Sequence, residues 1–211
     1  ALGFTAPTAR LYFYSVNAQS GPMANPLIRR AVSMAIDREG IVDAVLSGVG
    51  GVPAGTVVPA GTTWAADIDP LYDPAAAEAL LAEAGAVKEG GRWMLNGAPL
   101  EIEILTYSSR AALPPTAELT QAFLQQIGIS SSISVGEYGA SNDALAAGEG
   151  DIFLQAWVML PQGEPGSILG FLLDSEGGSN AGHYSNPEMD SLLAQVRSCR
   201  SNPCRWITRT A

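Results

Sequence analysis

The stretch Leu100-Glu101-Ile102-Glu103-Ile104-Leu105-Thr106-Tyr107, taken with the residues after it as far as Val158, decides the class of fold. Apolar and polar residues alternate through it, which predicts a strand with Ile102 and Ile104 on one face. Pro114-Pro115 opens a helix to about Ile127 that carries Leu119, Phe123, Leu124 and Ile127 on one face, and Gly128 stops it. Residues 129–135 alternate apolar residues with serine, a second strand. Ser141-Asn142-Asp143 predicts the cap of a short helix ending at Gly148. Asp151 to Val158 is a nearly continuous apolar run and reads as a buried strand. Strand, helix, strand, helix, strand in this order predicts an α/β protein.

Working outward, residues 10–17 are rich in aromatic and β-branched types and predict another strand, with Tyr12 and Tyr14 on one side. Asn25-Pro26 caps a helix running to about Leu46, with a joint expected at Gly40. The glycine- and proline-rich residues 48–70 form a long loop whose Val52, Val57, Val58 and Trp64 are expected to be buried. Asp73-Pro74 opens a helix to Ala84, stopped by Gly85. Residues 86–99 predict a hairpin turning at Asn96-Gly97. After the loop at 161–166 come a helix over 167–173, a glycine-rich loop, and a final helix from Asn186-Pro187 to about Val196.

The 211 residues are 47% hydrophobic and 15% charged, enough apolar material for a core and too much for a disordered chain. No uncharged apolar run reaches the ~18 residues of a membrane-spanning helix. The formal net charge of −10 leaves no basic face for nucleic acid or an anionic membrane surface. The start Ala1-Leu2-Gly3-Phe4 has no basic-then-apolar leader, so an export signal is expected to have been removed or to lie outside this sequence. Both cysteines, Cys199 and Cys204, fall near the end.

Catalytic patterns are missing. The single histidine, His183, has no Gly-x-Ser-x-Gly elbow to serve, and one histidine cannot build a zinc site alone. Cys199 and Cys204 are not spaced as Cys-x-x-Cys, and no phosphate-binding glycine loop occurs. No enzyme is expected.

Four motifs carry a resemblance. Asn25-Pro26-Leu27-Ile28-Arg29-Arg30-Ala31 through Ala35-Ile36-Asp37-Arg38-Glu39-Gly40-Ile41 is one. Tyr72-Asp73-Pro74 with Leu80-Leu81-Ala82-Glu83-Ala84-Gly85 is the second. Asp151-Ile152-Phe153 to Trp157 and Tyr184-Ser185-Asn186-Pro187 to Leu192-Leu193 complete the set. In order and spacing the chain resembles the family 5 extracellular solute-binding proteins, the peptide- and nickel-binding components of ABC importers. The resemblance implies a single lobe of a periplasmic-binding-protein-like class II fold, a mixed sheet flanked by helices. Residues 1–198 match the C-terminal lobe of that much longer family, without its N-terminal lobe. Residues 199–211 do not match and read as an atypical tail, frameshifted or foreign.

The resemblance also implies a site. Trp157, Leu160, Gln162, Glu164, Asn180, His183 and Tyr184 are its candidate ligand-binding residues, with His183 the candidate metal contact. In peptide binders of the family a carboxylate stands where Met159-Leu160 stands here, which points away from a free peptide and toward nickel or a metal chelate. Short peptides remain the alternative, and self-association through an uncovered face is another. Read from the residues alone, Trp157 is equally a core aromatic, His183 an exposed loop residue, Arg29 and Arg30 structural, and Tyr12 and Tyr14 part of a hinge. No cofactor is required. The implied partners are the solute, an ABC permease and the N-terminal lobe, with no nucleic acid, and the implied location is periplasmic or extracytoplasmic at the cell surface.

Overall fold

The computed structural model describes residues 8–48, 50–59, 62, 64–160 and 165–198. Gln162, Glu164 and the tail 199–211 lie outside the described residues.

Strands β1 (Arg10–Val16), β5 (Glu101–Tyr107), β6 (Ser130–Gly136) and β7 (Ile152–Val158) form one sheet in the order β1-β7-β5-β6. β5 runs parallel to both β6 and β7, and β1 is antiparallel to β7, so the sheet is mixed. Helix α4 (Leu113–Gln126) crosses from β5 to β6 and α5 (Tyr138–Ala146) from β6 to β7. They take opposite faces. Tyr14 reaches Thr120 of α4 at 2.7 Å on one face, while Tyr138 of α5 packs on Tyr107 and Phe153 on the other.

The α4 face is completed by α1 (Pro26–Ala35) and α3 (Pro74–Glu83). Ile28, Ala31, Val32, Met34 and Ala35 of α1 join Leu81, Ile102, Ile104, Leu113, Leu124, Ile152 and Leu154 in the main core. On the other face α6 (Gly166–Leu173) adds Leu172 to Phe13 and Met159, with Leu11 and Trp157 at the margin. α7 (Pro187–Ser198) closes the described chain.

Side-chain caps fix the helix starts. Asn25 Oδ1 accepts from Leu27 N–H, Asp37 Oδ1 from Gly40 N–H and Asp73 Oδ1 from Ala76 N–H, each at 2.9 Å. The Asp37 cap corrects the expected joint at Gly40. The break lies at Ile36-Asp37, because Asp37 starts a new helix, α2 (Arg38–Leu46), and Gly40 supplies the capped N–H. α5 also begins earlier than its sequence suggests, at Tyr138. Ser141 is not its cap: it is buried within the helix and donates to the Thr106 carbonyl at 3.3 Å.

The expected hairpin is a three-stranded meander of β2 (Val87–Glu89), β3 (Arg92–Leu95) and β4 (Ala98–Pro99). It has two tight turns. Gly90 and Gly91 have φ of 55° and 83°, and Asn96 and Gly97 have 53° and 80°, the positive pairs that match strand twist. Trp93 anchors this small sheet, donating its indole N–H to the Ile127 carbonyl at 2.8 Å. In the loop after α2, Val57, Val58 and Trp64 are half-buried, but Val52 is 70% exposed, because it lines an open cavity between the loop, α2 and β1 that nothing among the described residues fills.

Candidate functional site

β5, β6 and β7 are parallel, so their carboxyl ends fall on one edge of the sheet. Open α/β sheets bind ligands beyond those ends. β1 begins at the same edge, with Arg10 opposite Val158 and Leu11 opposite Trp157.

Aromatic side chains build this rim. Tyr107, the last residue of β5, meets Tyr138 edge to face at 5.3 Å and Phe153 at 6.0 Å. Tyr138 lies 5.8 Å from Phe153, and the Trp157 side chain is near enough to act on the Tyr138 hydroxyl. Partial burial raises the Tyr138 pKa above 10.0, the nearby Trp157 works the other way, and Tyr107 adds to the rise. Phe13 supports Trp157 from behind, ring edge to face at 6.4 Å. Trp157 is half-buried and Tyr138 37% exposed, so the wall is backed by core and open on one side. Such a surface offers flat apolar area with few polar groups, the composition of a ligand wall.

The pairing with β1 runs on past Trp157, and Met159 N–H still donates to the Ala9 carbonyl at 2.8 Å. Met159 is buried with Phe13 and Leu172, which makes it core, while Leu160 is half-buried beyond it. Trp157 thus stays on the rim, and Gln162 and Glu164 fall outside the described residues.

The other three candidates are elsewhere. Asn180 is the staple of the loop after α6: its amide donates to the Asp174 and Tyr184 carbonyls at 3.2 and 2.7 Å and accepts from Tyr184 N–H at 2.9 Å. Gly182 accepts from Ala18 N–H at 2.8 Å beside the end of β1, where Val16 faces Ile152. His183 is exposed, with Nε2 at 2.9 Å from the Ala146 carbonyl at the end of α5. That carbonyl can only accept, so Nε2 carries the proton. The structure therefore brings Asn180, His183 and Tyr184 to one another, and does not bring them to Trp157. Among the described residues no group of three or more His, Cys, Asp or Glu side chains could hold a metal ion.

Sequence reading missed Tyr107 and Tyr138. Both are found by looking at strand ends once the parallel order is known, since one ends a predicted strand and the other lies just past the end of the next.

The sequence profile of the bacterial extracellular solute-binding proteins, family 5, matches residues 2–180. The chain belongs to that family. This family 5 chain is 31% identical over 209 residues to the probable di/tripeptide-binding protein 5 of Pseudomonas aeruginosa, covering 94% of this chain and 37% of the relative. It is 27% identical to the periplasmic murein peptide-binding protein MppA of Escherichia coli, of which it covers 35%. Among solved structures, the nickel ABC transporter protein of Bacillus halodurans superposes with a TM-score of 0.81 at 26% identity, covering 90% of this chain and 40% of that one. NikZ of Campylobacter jejuni, solved in complex with Ni(L-His), gives 0.79 at 25% identity over 93% and 40%. The chain thus spans little more than a third of the curated relatives it matches, and its fold is part of a class II binding-protein lobe. The relatives are solute-binding proteins rather than enzymes.

Proposed function

We propose that this chain is the solute-contacting lobe of a substrate-binding component of an ABC importer, working outside the cytoplasmic membrane and handing its solute to a permease. The observation that carries the reading is the aromatic rim of Trp157 and Tyr138, backed by the buried Tyr107 and Phe153, at the carboxyl ends of parallel strands. A second lobe, which these residues do not include, closes over the solute from the other side and excludes water. No bond is made or broken.

Short peptides are the solute class favoured here. The relative at 31% identity is a di/tripeptide-binding protein. The one histidine stands away from the rim and has Nε2 engaged by Ala146. A nickel chelate is the second reading, supported by the likeness to nickel-binding structures. In it the chelator supplies the metal's ligands and the rim holds the chelator by its apolar faces. Saturation-transfer NMR on the 211-residue chain, with a dipeptide mixture in one arm and Ni(II)–histidine in the other, tests both. With one wall only, millimolar contact with dipeptide that vanishes in Trp157→Leu is expected. Sub-micromolar binding, or contact unchanged in Trp157→Leu, overturns the reading.

A further inference from the structure

A cleft of about 540 Å³ opens where β6 begins, at the end of the sheet away from the aromatic rim. Its walls are the β2–β3 turn, the later turns of α4 and the first residues of β6. Hydrogen bonds fix these parts together. Trp93 donates its main-chain N–H to the Gly128 carbonyl at 3.0 Å and its indole N–H to the Ile127 carbonyl at 2.8 Å. Gly91 and Gly128 pack so closely that a Cβ at Gly128 would collide with the Gly91 carbonyl. The turn that carries Arg92 is therefore held against α4 and β6, and the cleft has a set shape.

The lining is rich in donors and holds no carboxylate, in a chain with 21 acidic residues against 11 basic. Glu89 and Glu101, opposite Arg92 and Ser130 in the two sheets, are not part of it. Among the described residues no carboxylate stands within ion-pair distance of Arg92. Gln121 and Gln125 line the cleft from α4, and Gln121 donates to the Ser131 carbonyl at 2.6 Å. Ser130 N–H turns inward to the Leu100 carbonyl at 3.3 Å, so alternation turns Ser131 N–H outward from β6, the last strand of its sheet. The Ser131 hydroxyl is buried without a hydrogen-bond partner. A buried polar group left so costs stability. Three carbonyls at the end of α4 that would oppose an anion are already engaged: Leu124 by Ile129 N–H, Gln125 by Gly128 N–H and Ile127 by the Trp93 indole.

We propose that this cleft is a second binding site, for a small carboxylate, which the Arg92 guanidinium grips while Ser131 and the Gln125 amide donate to its oxygens. Paired guanidinium–carboxylate bonds set orientation as well as attraction. A cationic ligand meets repulsion from Arg92, and a neutral polyol leaves the guanidinium unpaired. The net charge of −10 opposes any anion from a distance, but charges beyond about 8 Å are largely screened at physiological salt. The proposal does not rest on the solute reading of the Trp157 rim. Ser131 and Gly136, the last residue of β6, are separated by roughly 16 Å of strand.

The 211-residue chain, labelled with a nitrogen isotope, is titrated by NMR with succinate, with N-acetylglycylglycine and, as the neutral control, with succinamide, all at one ionic strength. The main-chain amides of Ser130 and Ser131 and the side-chain amide of Gln125 are expected to shift together. The tighter carboxylate is expected to show a dissociation constant on the order of 1 mM, and succinamide to bind at least ~10-fold more weakly. Arg92→Gln, at an exposed position, is expected to weaken the carboxylate at least ~10-fold, and Arg92→Lys by less, since lysine keeps the charge but not the paired bonds. Preference for N-acetylglycylglycine assigns the carboxylate to a peptide chain end and preference for succinate to a free organic acid. Either supports the site. No shift at Ser130 and Ser131, an equal response to succinamide, or shifts that persist unchanged in Arg92→Gln overturns the proposal. Peptide contact at Trp157 reads out at the other end of the sheet, so failure of one reading leaves the other standing.

Discussion

Trp157 and His183 stand at opposite ends of β7. Trp157 faces Leu11 where the strand finishes, whereas Gly182, the neighbour of His183, binds beside Val16, opposite Ile152 where it starts. The strand between Ile152 and Trp157, at about 3.3 Å per residue, separates them by roughly 17 Å. A small solute held on the rim does not reach the imidazole. His183→Ala is therefore expected to leave dipeptide contact within about 2-fold of the parent by saturation-transfer NMR, while Trp157→Ala abolishes it.

Asn180 ties its loop with three hydrogen bonds, to Asp174 and twice to Tyr184. Asn180→Ala leaves the Tyr184 N–H and carbonyl without this partner, while the Asp174 carbonyl keeps the Gly177 N–H, at a cost of about 2 kcal/mol. Urea unfolding checks it. Unchanged stability would mean that water replaces the amide without loss.

Gly182 lies against the end of β1. A methyl group built there would collide with the Val16 carbonyl oxygen, a backbone atom that cannot rotate away. Gly182→Ala is expected to cost more than about 2 kcal/mol, or to detach the 174–184 loop from β1. Thermal unfolding and amide exchange at Ala18 distinguish the two.

Asp151 accepts the Glu103 N–H through its carboxylate at 2.9 Å. Burial nonetheless raises its pKa above 3.8, with the backbone bond opposing and the Glu103 charge adding to the rise. A carboxyl raised in the fold holds its proton more tightly there than when unfolded. Its contribution to stability is thus full below pH 3.8 and declines as pH rises through the folded pKa. Asp151→Asn keeps an acceptor for Glu103 and removes the ionisation. It is expected to be at least as stable as the parent at pH 7, with that advantage shrinking toward pH 3.8 in paired urea titrations.

The parts of this fold that were legible in the sequence are those set by local chemistry. Alternation in residues 100–107, the Asn25 and Asp73 caps and the Asn96-Gly97 turn all appear where the residues predict them. Local reading failed where two neighbouring signals compete. Asp37 and Gly40 both mark an interruption, and only the capping geometry shows which one breaks the helix. Ser141 has the chemistry of a cap, but its hydroxyl serves a strand instead. The site was harder to read. Trp157 is joined by Tyr107 and Tyr138 through the sheet order β1-β7-β5-β6, which no stretch of sequence displays. His183 is carried the other way because α6 intervenes between it and the rim, and the loop after α6 is bonded to the end of β1.

The pairing of β1 with β7 also sets an order of events on the ribosome. Ser15 and Gln155, bonded across that pair at 2.8 Å, are 140 positions apart. β1 must wait for some 140 further residues before β7 can pair with it. Closing so long a loop is slow. During that delay the aromatic segment Leu11–Tyr14 is available to chaperones or to the same segment on other nascent chains.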